Sequence, residues 1–330
     1  MLTVKCQVKL EPGKRMIDFN KTIDFMGKRK FATAISAILI IVSIGSFFVN
    51  GMRFGLDFTG GTQAELLYQE SPNLEDIRST LGQNGFDNYE VVFFGSDLDV
   101  VIRIQDVQEV GSDVGESNQT GDRVLELLRE ASGQDIELLR SEFIGAQVGD
   151  ELREQGGLGM LVALIMIMIY ISLRFQFKFA VGAVVALAHD VIIVLGFFSL
   201  MQFDFDLTVL AAVLAVVGYS LNDTIVVSDR IRENFRLLRG VDSTETINTS
   251  ITQTFSRTII TSLTTLLVLI ALLIVGGEMI SGFAIALTVG VLIGTYSSIY
   301  VAANVLLYMH ISKEDLIPAQ KEDEELDALP

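Results

Sequence analysis

Asp223 lies inside Leu207–Val227, a stretch otherwise long and apolar enough to cross a bilayer. A charged side chain at the centre of a membrane helix costs about 2.5–3.5 kcal/mol on insertion scales, so such groups face protein or water and keep partners. On a helix Asp223 would stand about 9 Å in from a boundary near Asp229. Arg257 opens a later apolar stretch and is long enough to reach Asp223 if the two helices are neighbours. Asn222 adjoins the carboxylate, and Thr261, Thr264 and Thr265 share the helical face of Arg257. His189 and Asp190 fall near mid-bilayer, about 11–12 residues in from Lys178. Asp190, Asp223, Arg257 and His189 are therefore expected to form one buried polar cluster. Coupled ionisable groups of opposite charge take up and release a proton when their spacing changes.

Plainer readings stand beside this one. Asp223 and Arg257 could be a static ion pair that fixes helix register. Arg257 could extend to lipid phosphates, His189 could be a packing residue, and Asp190 a buried hydrogen-bond acceptor. No Walker A loop is present, because neither Gly-Lys pair has the required glycine spacing or a following Ser/Thr. The sequence predicts no enzyme, no cofactor and no metal, with the proton as coupling ion.

The elements that must position these groups are membrane helices. Half of the residues are hydrophobic, yet the net charge is −17. Both hold only if charge and apolarity are segregated along the chain. A span needs about 20 mostly apolar residues, and six stretches qualify: 31–49, 157–173, 180–201, 207–228, 255–275 and 280–308. The first reads as a retained anchor, since it follows Lys28-Arg29-Lys30 and lacks an evident cleavage site. The single Cys6 excludes an internal disulfide.

Positive charge sets the orientation. Residues 1–30 carry eight Lys/Arg against three acids, 174–179 carries Arg174 and Lys178, and 229–254 carries Arg230, Arg232, Arg236 and Arg239. The connections 202–206 and 276–279 hold Asp204, Asp206 and Glu278 and no Lys or Arg. The alternation predicts both termini in the cytoplasm, including the acidic tail 309–330, and residues 50–156 outside. That outer segment has a net charge of −15, a solvated surface that also attracts basic partners.

The outer segment reads β-α-β-β-α-β: strands over 62–69, 89–94, 100–105 and 135–143, and helices over 73–81 and 122–131, with a hairpin turn at Gly95-Ser-Asp-Leu-Asp. The last strand could also be helical. This order predicts a small α+β ferredoxin-like domain on the outer side, between the first and second of six transmembrane helices. "FGLDFTGGT" (54–62) reads as a structural turn. Two stripes of small residues, Ala211-Ala215-Gly218-Asn222 and Gly282-Ala286-Gly290-Gly294-Ser298, predict close helix packing, and the second could contact another subunit. "DRIRENFRLLRG" (229–240) is amphipathic and predicts an interfacial helix in the 229–254 connection.

"FGLDFTGGT", "LAHD", "GYSLNDTIVVSDRIRENF", "TFSRTIITSLTT" and "GTYSSIYVA" closely resemble the SecF family of protein-export membrane proteins, within the RND superfamily. The resemblance covers nearly the whole chain. It implies a multi-pass protein of the bacterial inner membrane that uses the proton gradient to assist late preprotein translocation in the Sec pathway. The partners it implies are SecD, the SecYEG channel with YajC and YidC, the translocating preprotein and membrane lipid, and no nucleic acid. It places Asp223 and Arg257 in a proton-conducting cluster and matches His189 and Asp190 to the family's His-Asp pair. Asn222, Thr261 and Thr265 stand as supporting residues. Two rival functions are a static scaffold for the translocon and half of an RND-type small-solute exporter.

Overall fold

A computed structural model describes residues 22–86, 88–105, 119–238, 240–312 and 315. Cys6, most of the basic N-terminal segment, Arg239 and, in the acidic tail, residues 313–314 and 316–330 lie outside the described residues.

Six helices among the described residues are long and apolar enough to cross a membrane. In chain order the elements are α1 (Arg29–Val49), the single turn α2 (Leu56–Thr59), β1 (Gly61–Leu67), α3 (Leu74–Gln83), β2 (Tyr89–Phe94), β3 (Ser96–Ile104), α4 (Gln119–Ser132), β4 (Glu137–Ile144), and then α5 (Ala146–Arg174), α6 (Phe177–Met201), α7 (Leu207–Leu237), α8 (Ser243–Val275) and α9 (Glu278–Tyr308). The globular domain thus sits between the first and second long helices. Its sheet is antiparallel with order β2-β3-β1-β4, the ferredoxin-like arrangement. Leu66, Leu81, Val100, Ile102, Val124, Leu128 and Ile136 form its core.

Local chemistry explains several boundaries. Asn73 caps α3 by accepting from the Glu75 amide at 3.0 Å, and Asp206 caps α7 by accepting from Val209 at 2.8 Å. The final strand is a strand and not a helix, because every residue from Glu137 to Ile144 except Leu139 pairs with β1. At the expected 95–99 turn the register is irregular: Phe93 pairs with Val100 and Phe94 with Ser96, residues 97–99 have no partner on β2, and Gly95 sits at φ +75°. "FGLDFTGGT" is a turn built on α2. At Gly61, φ is +134° and an added Cβ would lie 2.2 Å from the Ile104 carbonyl oxygen.

α5 starts at Ala146, so the 157–173 apolar stretch is the later part of a helix that runs up from the sheet without a break. One expectation about the long helices needs correction. The amphipathic 229–240 stretch is no separate interfacial helix. It continues α7 to Leu237, and α8 starts at Ser243, so a helical hairpin replaces it. Its apolar face packs inward: Ile231 and Phe235 share a core cluster with Ile247 and Ile251. Asn234 donates to Ser250 at 2.8 Å and to Gln253 at 3.0 Å across the hairpin. Amphipathicity alone does not say whether protein or lipid covers the apolar side.

α9 is the hub of the bundle, packed against α6, α7 and α8. The most apolar window of α6 is 61% buried and that of α5 only 6%, so α5 lies at the periphery.

Candidate functional site

α6, α7 and α9 converge on Asp190. Its Oδ2 accepts from Ser220 of α7 at 2.6 Å and from Ser297 of α9 at 2.7 Å. His189 Nδ1 lies 2.9 Å from Oδ1, and its Nε2 lies 3.2 Å from the Ser36 hydroxyl of α1. Tyr296 stacks beside the imidazole, touches Ser36 at 3.1 Å and donates to the Ala32 carbonyl at 2.6 Å. His189, Asp190, Ser220 and Ser297 are all buried. A buried carboxylate with three neighbouring donors meets the requirement for burying charge, and it ties four helices together.

Small residues make this convergence possible. A Cβ on Gly290 would lie 2.1 Å from Val216 Cγ2, and one on Gly294 would lie 3.0 Å from Ser220 Cβ. The α9 stripe therefore packs on α7 within the chain instead of on another subunit. The α7 stripe is different: Ala211, Ala215, Gly218 and Asn222 are all exposed, and among the described residues nothing lies within 4 Å of where a Gly218 Cβ would be.

Asp223 lies one turn beyond Ser220 on α7 and is 4% exposed. Among the described residues its Oδ2 has no hydrogen-bond partner, and neither do the buried Tyr219, Thr224 and Thr258 hydroxyls nearby along α7 and α8. Arg257 is on α8, which packs against α7. The charge of Arg257 acts on Asp223, but no ion pair within 4 Å joins them among the described residues, and Arg257 is exposed. The expected single cluster is thus two centres. One is the saturated Asp190–His189 set. The other is Asp223 with Arg257 close by but unpaired. The threonines do not supply the expected hydrogen bonds to it. Thr261 donates to the Arg257 and Thr258 carbonyls, Thr264 to that of Ile260, and Thr265 to that of Thr261, so each is satisfied on its own helix.

A second set of charges joins the globular domain to the bundle. Arg53 pairs with Glu90 at 3.0 Å and Asp204 at 2.7 Å, and Arg103 with the same two acids at 3.2 and 3.5 Å. Burial and the facing Glu90 carboxylate push Asp204 up to about 6, and these outweigh the two arginines that pull it down. Beside this cluster Phe54 bridges Phe205, Phe58 stacks on Phe205, and the Leu207 amide at the start of α7 donates to Asp57 at 3.0 Å. The serines around Asp190 and this charge cluster escaped the sequence reading. Ser36, Ser220 and Ser297 were visible only as hydroxyls in apolar runs.

The family description "Protein export membrane protein SecD/SecF, C-terminal" matches residues 124–312, and "SecD/SecF GG Motif" matches residues 45–72. The chain is 51% identical to a protein translocase subunit SecF from Pseudomonas aeruginosa, over 92% of this chain and 96% of that one. It is 48% identical to the same subunit from Vibrio alginolyticus, over 96% and 99% respectively. Among solved structures it is similar to SecDF, a translocon-associated membrane protein from Thermus thermophilus, with TM-score 0.76 and 37% identity. That match covers 90% of this chain but only 40% of the SecDF chain.

Proposed function

Since the chain belongs to the SecF family of protein-export membrane proteins, we propose that it is one half of a proton-driven machine assisting Sec-dependent export across the bacterial inner membrane. The other half is a SecD-type subunit. The chain spans about 40% of the SecDF chain, and its exposed α7 stripe offers a face on which a second helix can approach closely. The translocating preprotein and the SecYEG channel, with YajC and YidC, follow from the same family reading.

Both termini face the cytoplasm and the sheet domain faces outward in this proposal. Support comes from the charges on the connections, with Arg174, Lys178, Arg230 and Arg236 at one end of the bundle and Asp204 and Asp206 at the other.

The observation that carries proton coupling is the buried, unpartnered Oδ2 of Asp223 beside an unpaired Arg257. A carboxylate held that way is destabilised until a proton, water or cation completes it. Asp190 does not suit the task, because its donors already satisfy it. A proton arriving at Asp223 removes its attraction to Arg257 and shifts the packing of α7 on α8. One charge crossing 100 mV is worth about 2.3 kcal/mol, roughly fiftyfold in a two-state equilibrium. α7 carries the change outward. Asp223 stands about 24 Å along the helix from Leu207, which is fastened to the sheet domain through Asp57.

The test is gradient-driven release of a preprotein from sealed vesicles containing the full complex. Asp223→Asn should assemble normally and lose the gradient-dependent part of release. Wild-type release by that variant at equal abundance would leave only the scaffold function.

A further inference from the structure

We propose that a groove between the start of α1 and the end of α9 binds the phosphodiester headgroup of an anionic phospholipid. The groove holds about 470 Å³ and is lined by Arg29, Lys30, Thr33, Asn304, Tyr308 and His310, a volume within the range of small-molecule sites. No acid lies within ion-pair distance of Arg29 or Lys30 among the described residues. A neighbouring cation, Lys178, is already taken. It pairs with Asp315 at 2.7 Å and donates to the His310 carbonyl at 3.3 Å. The floor is fixed, with the Asn304 amide donating to Thr33 at 2.6 Å and the Thr33 hydroxyl to the Arg29 carbonyl at 2.8 Å. That amide has a second hydrogen to offer a ligand.

The position selects lipid over a free anion. Both helices are membrane-length, and the groove lies where α1 begins and α9 ends, at headgroup depth. Tyr308 lines it and Phe31 follows Lys30 in sequence, 73% and 70% exposed, and acyl chains would cover such surfaces. Basic pockets between membrane helices at this depth are suited to anionic headgroups.

The experiment is native mass spectrometry of the full chain, purified with its natural partners and loaded with phosphatidylglycerol. Each basic residue near an anionic headgroup contributes roughly fivefold to affinity. Lys30→Gln should therefore weaken phosphatidylglycerol retention about fivefold and Arg29→Gln/Lys30→Gln about 30-fold. Arg236→Gln, outside the groove, should retain lipid as the wild type does, and all three variants should melt with the wild type. Excess inorganic phosphate should not displace the lipid, and deleting residues 321–330 should not change its retention. Wild-type retention by the double variant overturns the proposal. So does displacement by inorganic phosphate, which marks a free-anion site. A large gain on deletion would make the acidic tail the normal occupant and overturn it too.

Discussion

Gly290→Ala adds one methyl group at the closest approach of α7 and α9. The new Cβ would lie 2.1 Å from Val216 Cγ2, 2.7 Å from Cγ1 and 2.9 Å from Cβ, where ordinary contact begins at 3.4 Å. Val216 is buried and β-branched, so its side chain has little freedom to turn away within a helix. The helices must then part by about 1 Å, and overpacking of this kind costs about 1–3 kcal/mol. The same shift acts on Asp190, because Ser220 and Ser297 reach it from the two helices being separated, at 2.6 and 2.7 Å. Loss of one such bond to a charged acceptor adds about 1.5–3 kcal/mol. The expected loss is therefore about 2.5–6 kcal/mol, read by thermal unfolding of the detergent-purified full chain. Val216→Ala in the Gly290→Ala background should restore at least half of it. A Gly290→Ala protein as stable as the wild type, or a second substitution that deepens the loss, would refute this account of the α7–α9 contact.

Ser220→Ala and Ser297→Ala should each lower stability by about 1.5–3 kcal/mol, and the double variant by more than their sum, since Asp190 would keep only His189; chemical denaturation of the four proteins measures this. Asp204 is raised to about 6 from 3.8, so the folded protein binds its proton before the unfolded chain does. Its contribution to stability is present in full below about pH 4 and is lost as pH rises through about 6. Discounted for partial solvent exposure, this amounts to about 1–2 kcal/mol, which Asp204→Asn should abolish in unfolding curves taken across that range. Gly61→Ala should cost the sheet domain about 1–3 kcal/mol through its positive φ and the Ile104 carbonyl, seen as faster amide exchange in β1 and β3.

Much of the fold is legible in the sequence because its signals are local. Apolar length marks the six spans, and alternation with turn residues marks β-α-β-β-α-β. The helices bearing Asp223 and Arg257 are consecutive, joined by a short connection, and pack as neighbours. What stayed hidden depends on tertiary geometry. Adjacent residues on a helix point about 100° apart, so the sequence does not reveal that His189 turns back onto Asp190. Nor does it separate a carboxylate saturated by Ser220 and Ser297 from one left open at Asp223, since both read as an acid in an apolar run. Arg53, Glu90, Arg103 and Asp204 come from four distant segments, and no spacing rule joins them. The α9 glycine stripe is plain, but whether it meets α7 or a second subunit is decided only by where Val216 and Ser220 lie.

The central claim is that Asp223 changes protonation while the machine works. Infrared difference spectra of the assembled complex, recorded as an imposed proton gradient is switched on and with Asp223→Asn as the reference, test it most directly. The account predicts a carboxyl band that appears and disappears with the gradient in the wild type and is missing from the variant. Identical difference spectra from the two proteins would contradict it.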